Sequence, residues 1–162
     1  LEGKTAIVTG CSSGIGAATT KVFLEAGANV MGCYFSKADE RLYADAITDV
    51  KTFVEQNGYA DNFEALNLDV ADEKTPGVLT KNAIDNFGRI DILCNLAGVA
   101  LFSTFDETTR EKYRRTLETN LNGHFFLAQR VAREMKKNYL PHPNSSRGSI
   151  INMGSIHYMI SI

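Results

Sequence analysis

Three features of the 162-residue sequence predict an α/β fold built on a doubly wound parallel sheet. Short apolar, often β-branched runs alternate with stretches of helical period. A glycine-rich turn follows the first run. The central run, IDILCNLAG (90–98), is apolar on both faces, as a strand covered by helices on both sides must be.

The elements follow in order. TAIVTG (5–10) is the first strand, and a helix from about Ile15 to Ala26 comes next, stopped by Gly27. NVMGCYF (29–35) is the second strand. Leu42, Ala46, Val50 and Phe53 or Val54 then recur at helical spacing as far as Asn57-Gly58. FEALNLDV (63–70) is the third strand. Asp72 is placed to cap a helix carrying Val78, Leu79, Ala83, Ile84 and Phe87, which Gly88 ends. After the fourth strand, a long helix is expected from about Thr108 to Lys137, with Thr108-x-x-Glu111 as a capping box. Gly123 in its middle disfavours helix by roughly 1 kcal/mol relative to alanine, so a kink or tight packing is expected at Asn122-Gly123. One broad stripe on this helix, Tyr113, Leu117, Leu121, Phe125, Ala128, Val131 and Met135, with Phe126 and Leu127 alongside, is expected largely to cover the sheet. A polar loop (140–148) leads to the fifth strand (149–154). Right-handed crossovers make this a single Rossmann-like domain over 1–162. The chain starts with Leu and enters a strand almost at once, and its last strand would be an uncovered apolar edge, so further residues are expected beyond both ends.

Hydrophobic content of 44%, 22% charged residues and a formal charge of −2 describe an ordinary soluble domain. Such a balance argues against nucleic acid or an anionic membrane as the main partner. Arg110, Arg114, Arg115, Arg130, Arg133, Lys136 and Lys137 form a basic cluster, but Glu111, Glu118 and Glu134 are interspersed at helical spacing, which reads as a solvated helix face. Cys11, Cys33 and Cys94 make an odd count without a CxxC pair, so no disulfide framework and no metal site is expected, and a cytoplasmic setting fits. No apolar stretch is long enough to span a membrane, and nothing resembles a signal peptide.

The chemistry begins at TGCSSGIG (9–16), between the first strand and the first helix, where a doubly wound fold holds a diphosphate. Gly10 lets the chain turn off the strand, Gly14 removes the Cβ that would stand between backbone and ligand, and Gly16 permits close packing of helix on strand. Ser12, Ser13 and Ile15 complete the loop. The spacing is Gly-x3-Gly-x-Gly, not the usual dinucleotide fingerprint, and it lacks the Gly-Lys-Ser/Thr of a P-loop. A ligand-free glycine connection stays open for this loop taken alone. A dinucleotide reader places Asp or Glu about 20 residues further on, for the ribose hydroxyls. Here the second strand's tip reads Cys33-Tyr34-Phe35-Ser36-Lys37, and the first carboxylate is Asp39. Nothing at the tip repels a 2′-phosphate, and Ser36 and Lys37 could bind one, so NADP(H) is favoured over NAD(H). Lys37 reads equally as a surface lysine. The missing acid also weakens a methyltransferase reading.

Taken together, these residues resemble the short-chain dehydrogenase/reductase family. The motifs are Thr9-Gly-x3-Gly14-Ile15-Gly16, Asp69-Val70 at the end of the third strand, Asn95-x-Ala97-Gly98 at the fourth, Asn120 in the long helix and Ser155 after the fifth strand, in the family's order over the whole chain. The resemblance implies an NAD(P)(H)-dependent oxidoreductase acting on a small alcohol or carbonyl compound. Asp69 would accept from the adenine amino group with Val70 beside it, although a turn aspartate is an equal reading from the residues alone. Asn95 would hold backbone in the central sheet, and Ala97-Gly98 would leave room for ribose. Leu96 stands where the family commonly has a second Asn. Asn120 would fix a water in a proton relay. A dimer or tetramer through the long helix is also implied.

Ser155, on the same resemblance, hydrogen-bonds the substrate oxygen. An acyl-transfer serine does not fit, since the elbow motif needs glycine two residues before and after, where Met153 and His157 stand. The family's general acid/base is a tyrosine in a Tyr-x3-Lys turn about a dozen residues on. No such pair occurs in this sequence, since Ile162 lies four after Tyr158. The pair is expected beyond residue 162, and the alternative is a catalytically incompetent dinucleotide-binding fragment or divergent relative. Val99, Leu101, Phe102, His157 and Tyr158 are the candidate substrate-pocket residues.

Overall fold

The computed structural model describes residues 1–36, 47–139, 142 and 145–155. Its centre is β1 (Thr5–Thr9), every residue of which is buried. On one side β1 pairs in parallel with β2 (Asn29–Tyr34), and β2 with β3 (Phe63–Asn67). On the other side it pairs with β4 (Ile92–Asn95), and β4 with β5 (Ser149–Asn152). The order is therefore β3-β2-β1-β4-β5, all parallel, with the direction of winding reversing between β1 and β4. That reversal opens a crevice beyond the carboxyl ends of the two strands, where ligands enter such sheets.

Strand alternation sends neighbouring side chains to opposite faces, and each face has its own core. Ile7, Met31 and Leu93 meet Leu79 and Ala83 of α3 (Thr75–Phe87) and Leu127, Val131 and Met135 of α5 (His124–Met135). Ala6, Val8, Val30 and Cys94 meet Leu24 of α1 (Gly14–Glu25) and Val50 and Val54 of α2 (Thr48–Gln56). Each fully buried aliphatic side chain contributes about 1.5–3 kcal/mol. The expected glycine stops are present: Gly27 follows α1 and Gly88 caps α3, both at positive φ. Leu42 and Ala46, expected on the second helix, lie outside the described residues.

Two expected caps are corrected by one residue or more. Asp72 does not cap α3; its Oδ1 accepts from the Lys74 N–H in the turn before the helix, and Lys74 is the capping position. The long helix begins with α4 (Arg110–Leu117), whose cap is Thr109, accepting from the Lys112 N–H; Thr108 instead donates to the Thr104 carbonyl.

The expected disturbance at Asn122-Gly123 is a π-helical segment, Glu118–Gly123, joining α4 to α5. A Cβ on Gly123 would lie 2.5 Å from the Val70 carbonyl oxygen, so the glycine is required by close approach. The wider turn also shifts the helical phase, and the single stripe expected from the sequence splits in two. Leu127, Val131 and Met135 face the sheet, while Tyr113, Leu121, Phe125 and Phe126 are exposed. No helix among the described residues is long and apolar enough to cross a membrane.

Candidate functional site

The glycine turn after β1 forms the floor of the crevice. Gly10 has φ +69°, and a Cβ there would come within 3.1 Å of the Ala97 backbone, so the turns after β1 and β4 touch. Gly14 has φ +50°, and a Cβ there would project into open space. At Gly16 a Cβ would collide with the Gly10 carbonyl, which seats α1 directly on the turn. The helix cap, Ser13, makes no side-chain capping hydrogen bond, no acidic residue occupies the first turn, and the first amide with an intrahelical acceptor is Ala17, bonded to the Ser13 carbonyl. The N–H groups ahead of it and the positive end of the helix dipole face the open end. Ser12 is half-buried, and Ser13 and Ile15 are exposed.

Thr9 joins the two turns. Its hydroxyl accepts from the Leu96 and Ala97 N–H groups, both at 3.0 Å, and donates to the Cys94 carbonyl at 3.4 Å. That uses its one donor and both acceptor positions. Asn95 is fully buried and donates to the Asn152 side chain at 2.9 Å and the His124 carbonyl at 3.2 Å, tying β4 to β5 and α5. Its Oδ1 has no partner among the described residues. His124 Nε2 lies 2.7 Å from the Ala97 carbonyl oxygen. A carbonyl can only accept, so this ring nitrogen carries the proton.

Asn120 lies within the π segment and clasps the backbone of Val99, accepting from its N–H and donating to its carbonyl, both at 2.9 Å. Gly98 sits against the same side chain. The amide thus fixes the loop after β4. Ser155 is exposed, two residues past Met153, whose N–H donates to the Asn95 carbonyl; this places it on the same carboxyl edge as the glycine turn.

At the far end, Asn67 holds the tip of β2, accepting from the Ser36 N–H and donating to its carbonyl. Tyr34 is half-buried, and its carbonyl accepts from Leu68 N–H. Asp69 Oδ1 accepts from the Ala71 N–H at 2.9 Å, while Oδ2 pairs with Arg115 at 2.6 Å. Val70 is buried, with its carbonyl against Gly123. Lys37, His157 and Tyr158 lie outside the described residues. Arg115 corrects the reading of the basic cluster: this member leaves the solvated face, whereas Arg130 and Lys137 do pair with Glu134 along the helix.

The three cysteines are free and buried. Desolvation pushes the Cys11 and Cys33 thiols up to about 12, and that of Cys94 upward, which leaves them protonated and inert. Among the described residues, no group of three His, Cys, Asp or Glu is arranged to hold a metal.

Sequence reasoning gave no site role to Thr9, His124, Asn152 or Arg115, although it named Thr9 in the glycine motif and Arg115 in the basic cluster. Thr9 had a signal, a hydroxyl at the strand's end beside the first glycine; the other three act through contacts between segments far apart in sequence.

Comparisons with known proteins agree with this arrangement. The short chain dehydrogenase family model matches residues 4–160. The chain is 33% identical over 160 residues to L-rhamnose 1-dehydrogenase (NAD(P)(+)) of Azotobacter vinelandii, covering 99% of this chain and 58% of that protein. It is 32% identical over 162 residues to NAD-dependent glycerol dehydrogenase of Listeria innocua, covering 100% of this chain and 56% of the relative. A crystal structure of a protein described as a short-chain alcohol dehydrogenase from Sinorhizobium meliloti 1021 superimposes with TM-score 0.82 at 29% identity, over 100% of this chain and 58% of that one. The chain thus spans somewhat over half the length of these relatives. With the glycine turn, the winding reversal and a family match running from before β1 to past β5, the chain belongs to the short-chain dehydrogenase/reductase family.

Proposed function

We propose that the whole protein is an NAD(P)(H)-dependent oxidoreductase with NADP(H) as the favoured cofactor, acting on a small alcohol or carbonyl compound. The observation that carries this reading is the bare N-terminus of α1 at the reversal of the sheet, where Gly10 packs on the Ala97 backbone and a Cβ on Gly14 would meet nothing within 4 Å among the described residues. A diphosphate suits that geometry, since backbone donors and the helix dipole face it and no side chain among the described residues lies against Gly14.

When bound, the nicotinamide would supply hydride exchange with a substrate carbon. Gly10, Ser12, Ser13, Gly14, Ile15 and Gly16 would cradle the diphosphate, Tyr34, Ser36 and Lys37 the adenosine ribose, and Asp69 and Val70 the adenine. Ala97 and Gly98 would leave room for the nicotinamide ribose, in a turn held by Thr9, His124 and Asn120. Ser155 would donate to the substrate oxygen. Asn120, its side-chain amide engaged on Val99, would support proton transfer through the backbone carbonyls of the widened turn. The general acid/base tyrosine and its lysine would lie beyond residue 162, in a longer protein of which these residues form the single dinucleotide-binding domain. The relatives' names mention both NAD and NAD(P), so the cofactor preference rests on the carboxylate-free tip of β2.

The exposed row Tyr113, Leu121 and Phe125 supports a second copy packing on this helix to give a dimer or tetramer. The three buried thiols suit a cytoplasmic setting.

The test is a titration of NADPH and NADH by nicotinamide fluorescence, followed by turnover on alcohol and ketone panels. Saturable binding tighter for NADPH is expected, and Ser155→Ala should lower kcat by about a hundredfold while leaving cofactor affinity unchanged. A protein that binds neither dinucleotide would overturn the proposal; binding without any turnover would leave the dinucleotide-binding role alone.

A further inference from the structure

Among the described residues, Arg115 is the one member of the helix's basic cluster that pairs across to the carboxyl ends of β2 and β3. Its Nη1 donates to Asp69 Oδ2 at 2.6 Å, and its Cζ lies 5.6 Å from the centroid of the Phe35 ring. These two anchors set a delocalised cation over the tip of β2, the place where doubly wound folds read the hydroxyls of the adenosine ribose. The described tip residues Tyr34, Phe35 and Ser36 carry no carboxylate. Asn67 engages both backbone groups of Ser36, so the tip is fixed and those groups are already committed.

We propose that Arg115 is the specificity-determining cation that takes the 2′-phosphate of the adenosine, an inference that rests on the dinucleotide reading above. Among the described residues its Nε and Nη2 have no partner, and the side chain is 32% exposed. Two adjacent donors on a rigid fork match two oxygens of a phosphate, which a lysine matches only as a point charge. The pairing also settles a conflict at this end of the crevice. Asp69 would repel a phosphate if its carboxylate stood alone; with Oδ1 on the Ala71 N–H and Oδ2 on Arg115, its charge is compensated. Removing Arg115 therefore takes away the phosphate's donors and uncovers a like charge. A plain strut between α4 and β3 predicts something different, a loss of stability indifferent to which adenosine ligand is bound.

The experiment titrates the full chain calorimetrically with adenosine 2′,5′-bisphosphate and with 5′-AMP, for wild type, Arg115→Met, Arg115→Lys and Lys37→Ala. Arg115→Met should weaken the bisphosphate by about tenfold to a hundredfold and 5′-AMP by no more than about twofold. Arg115→Lys should fall between wild type and Arg115→Met. Equal losses for the two ligands would overturn the assignment. So would a selective loss in Lys37→Ala that Arg115→Met does not share. Should Arg115→Met fail to fold, Arg115→Lys decides: a loss confined to the bisphosphate supports the proposal, and none overturns it. A wild-type chain that binds neither ligand brings down the dinucleotide reading as well. One that binds 5′-AMP without preferring the bisphosphate brings down this inference alone.

Discussion

The hydroxyl of Thr9 does more for the crevice than its size suggests, because it satisfies two backbone N–H groups that no strand partner reaches. Valine has the same shape and neither acceptor, so Thr9→Val leaves the Leu96 and Ala97 amides without a partner. Thr9→Val should lose about 1–3 kcal/mol of stability in urea unfolding. Dinucleotide affinity should fall with it, since the same amides set the position of Ala97-Gly98 against Gly10. An unchanged urea midpoint would show that water replaces the hydroxyl. His124 acts on the neighbouring carbonyl of Ala97, so three side chains, counting Asn120 on Val99, fix one four-residue turn.

Among the elements, two glycines separate binding from folding. Gly123→Ala puts a methyl group 2.5 Å from the Val70 carbonyl, a backbone atom that can move only with β3's end, and should destabilise by about 2–4 kcal/mol. Gly14→Ala meets nothing but holds a left-handed φ, so it should cost about 1–2 kcal/mol. Its methyl group stands in the space assigned to the diphosphate, and dinucleotide affinity should drop by about tenfold or more. Thermal unfolding and NADPH titration of both variants check this. Equal effects on affinity, once each protein is folded, would remove the special status of the space above Gly14. The π segment belongs to this scale as well: it brings Gly123 against Val70 and Asn120 against Val99, and it turns Tyr113, Leu121 and Phe125 away from the sheet.

Across the molecule, the Asp91 charge cluster and the candidate site lie at opposite ends of the sheet. Asp91, just before β4, accepts from the Thr5 N–H, from Arg89 through two bonds and from Lys4. Burial alone would push its carboxyl up, but these donors outweigh burial and hold it below the ordinary carboxylate range. A depressed value means that the contribution to stability is present above the unfolded-state value of about 4 and is lost as pH falls through the lower folded-state value. Asp91→Asn should therefore lower stability by about 1–2 kcal/mol at pH 7, discounted because Arg89 is partly exposed. The gap should narrow below about pH 4. Urea unfolding from pH 7 to pH 3 measures it, and NADPH affinity should not change. A gap that widened in acid would contradict the assignment of charge.

What the sequence determined by itself was local. Strand identity followed from β-branched apolar runs, helix ends from glycine, and the sharp turn after the first strand from three closely spaced glycines; all are properties of neighbouring residues. The capping assignments slipped by a residue or two because several threonines and aspartates near each helix start compete for the same N–H groups. Only the tertiary structure decided which far-apart groups meet. Thr9 reaches a turn some ninety residues on, Asn95 reaches Asn152, and Arg115 leaves its helix face for Asp69. Sequence periodicity could not show the split of the long helix's apolar stripe either. A period of 3.6 assumes an unbroken α-helix, and the close approach of Val70 to Gly123, set by the packing of the sheet, sits where that assumption fails.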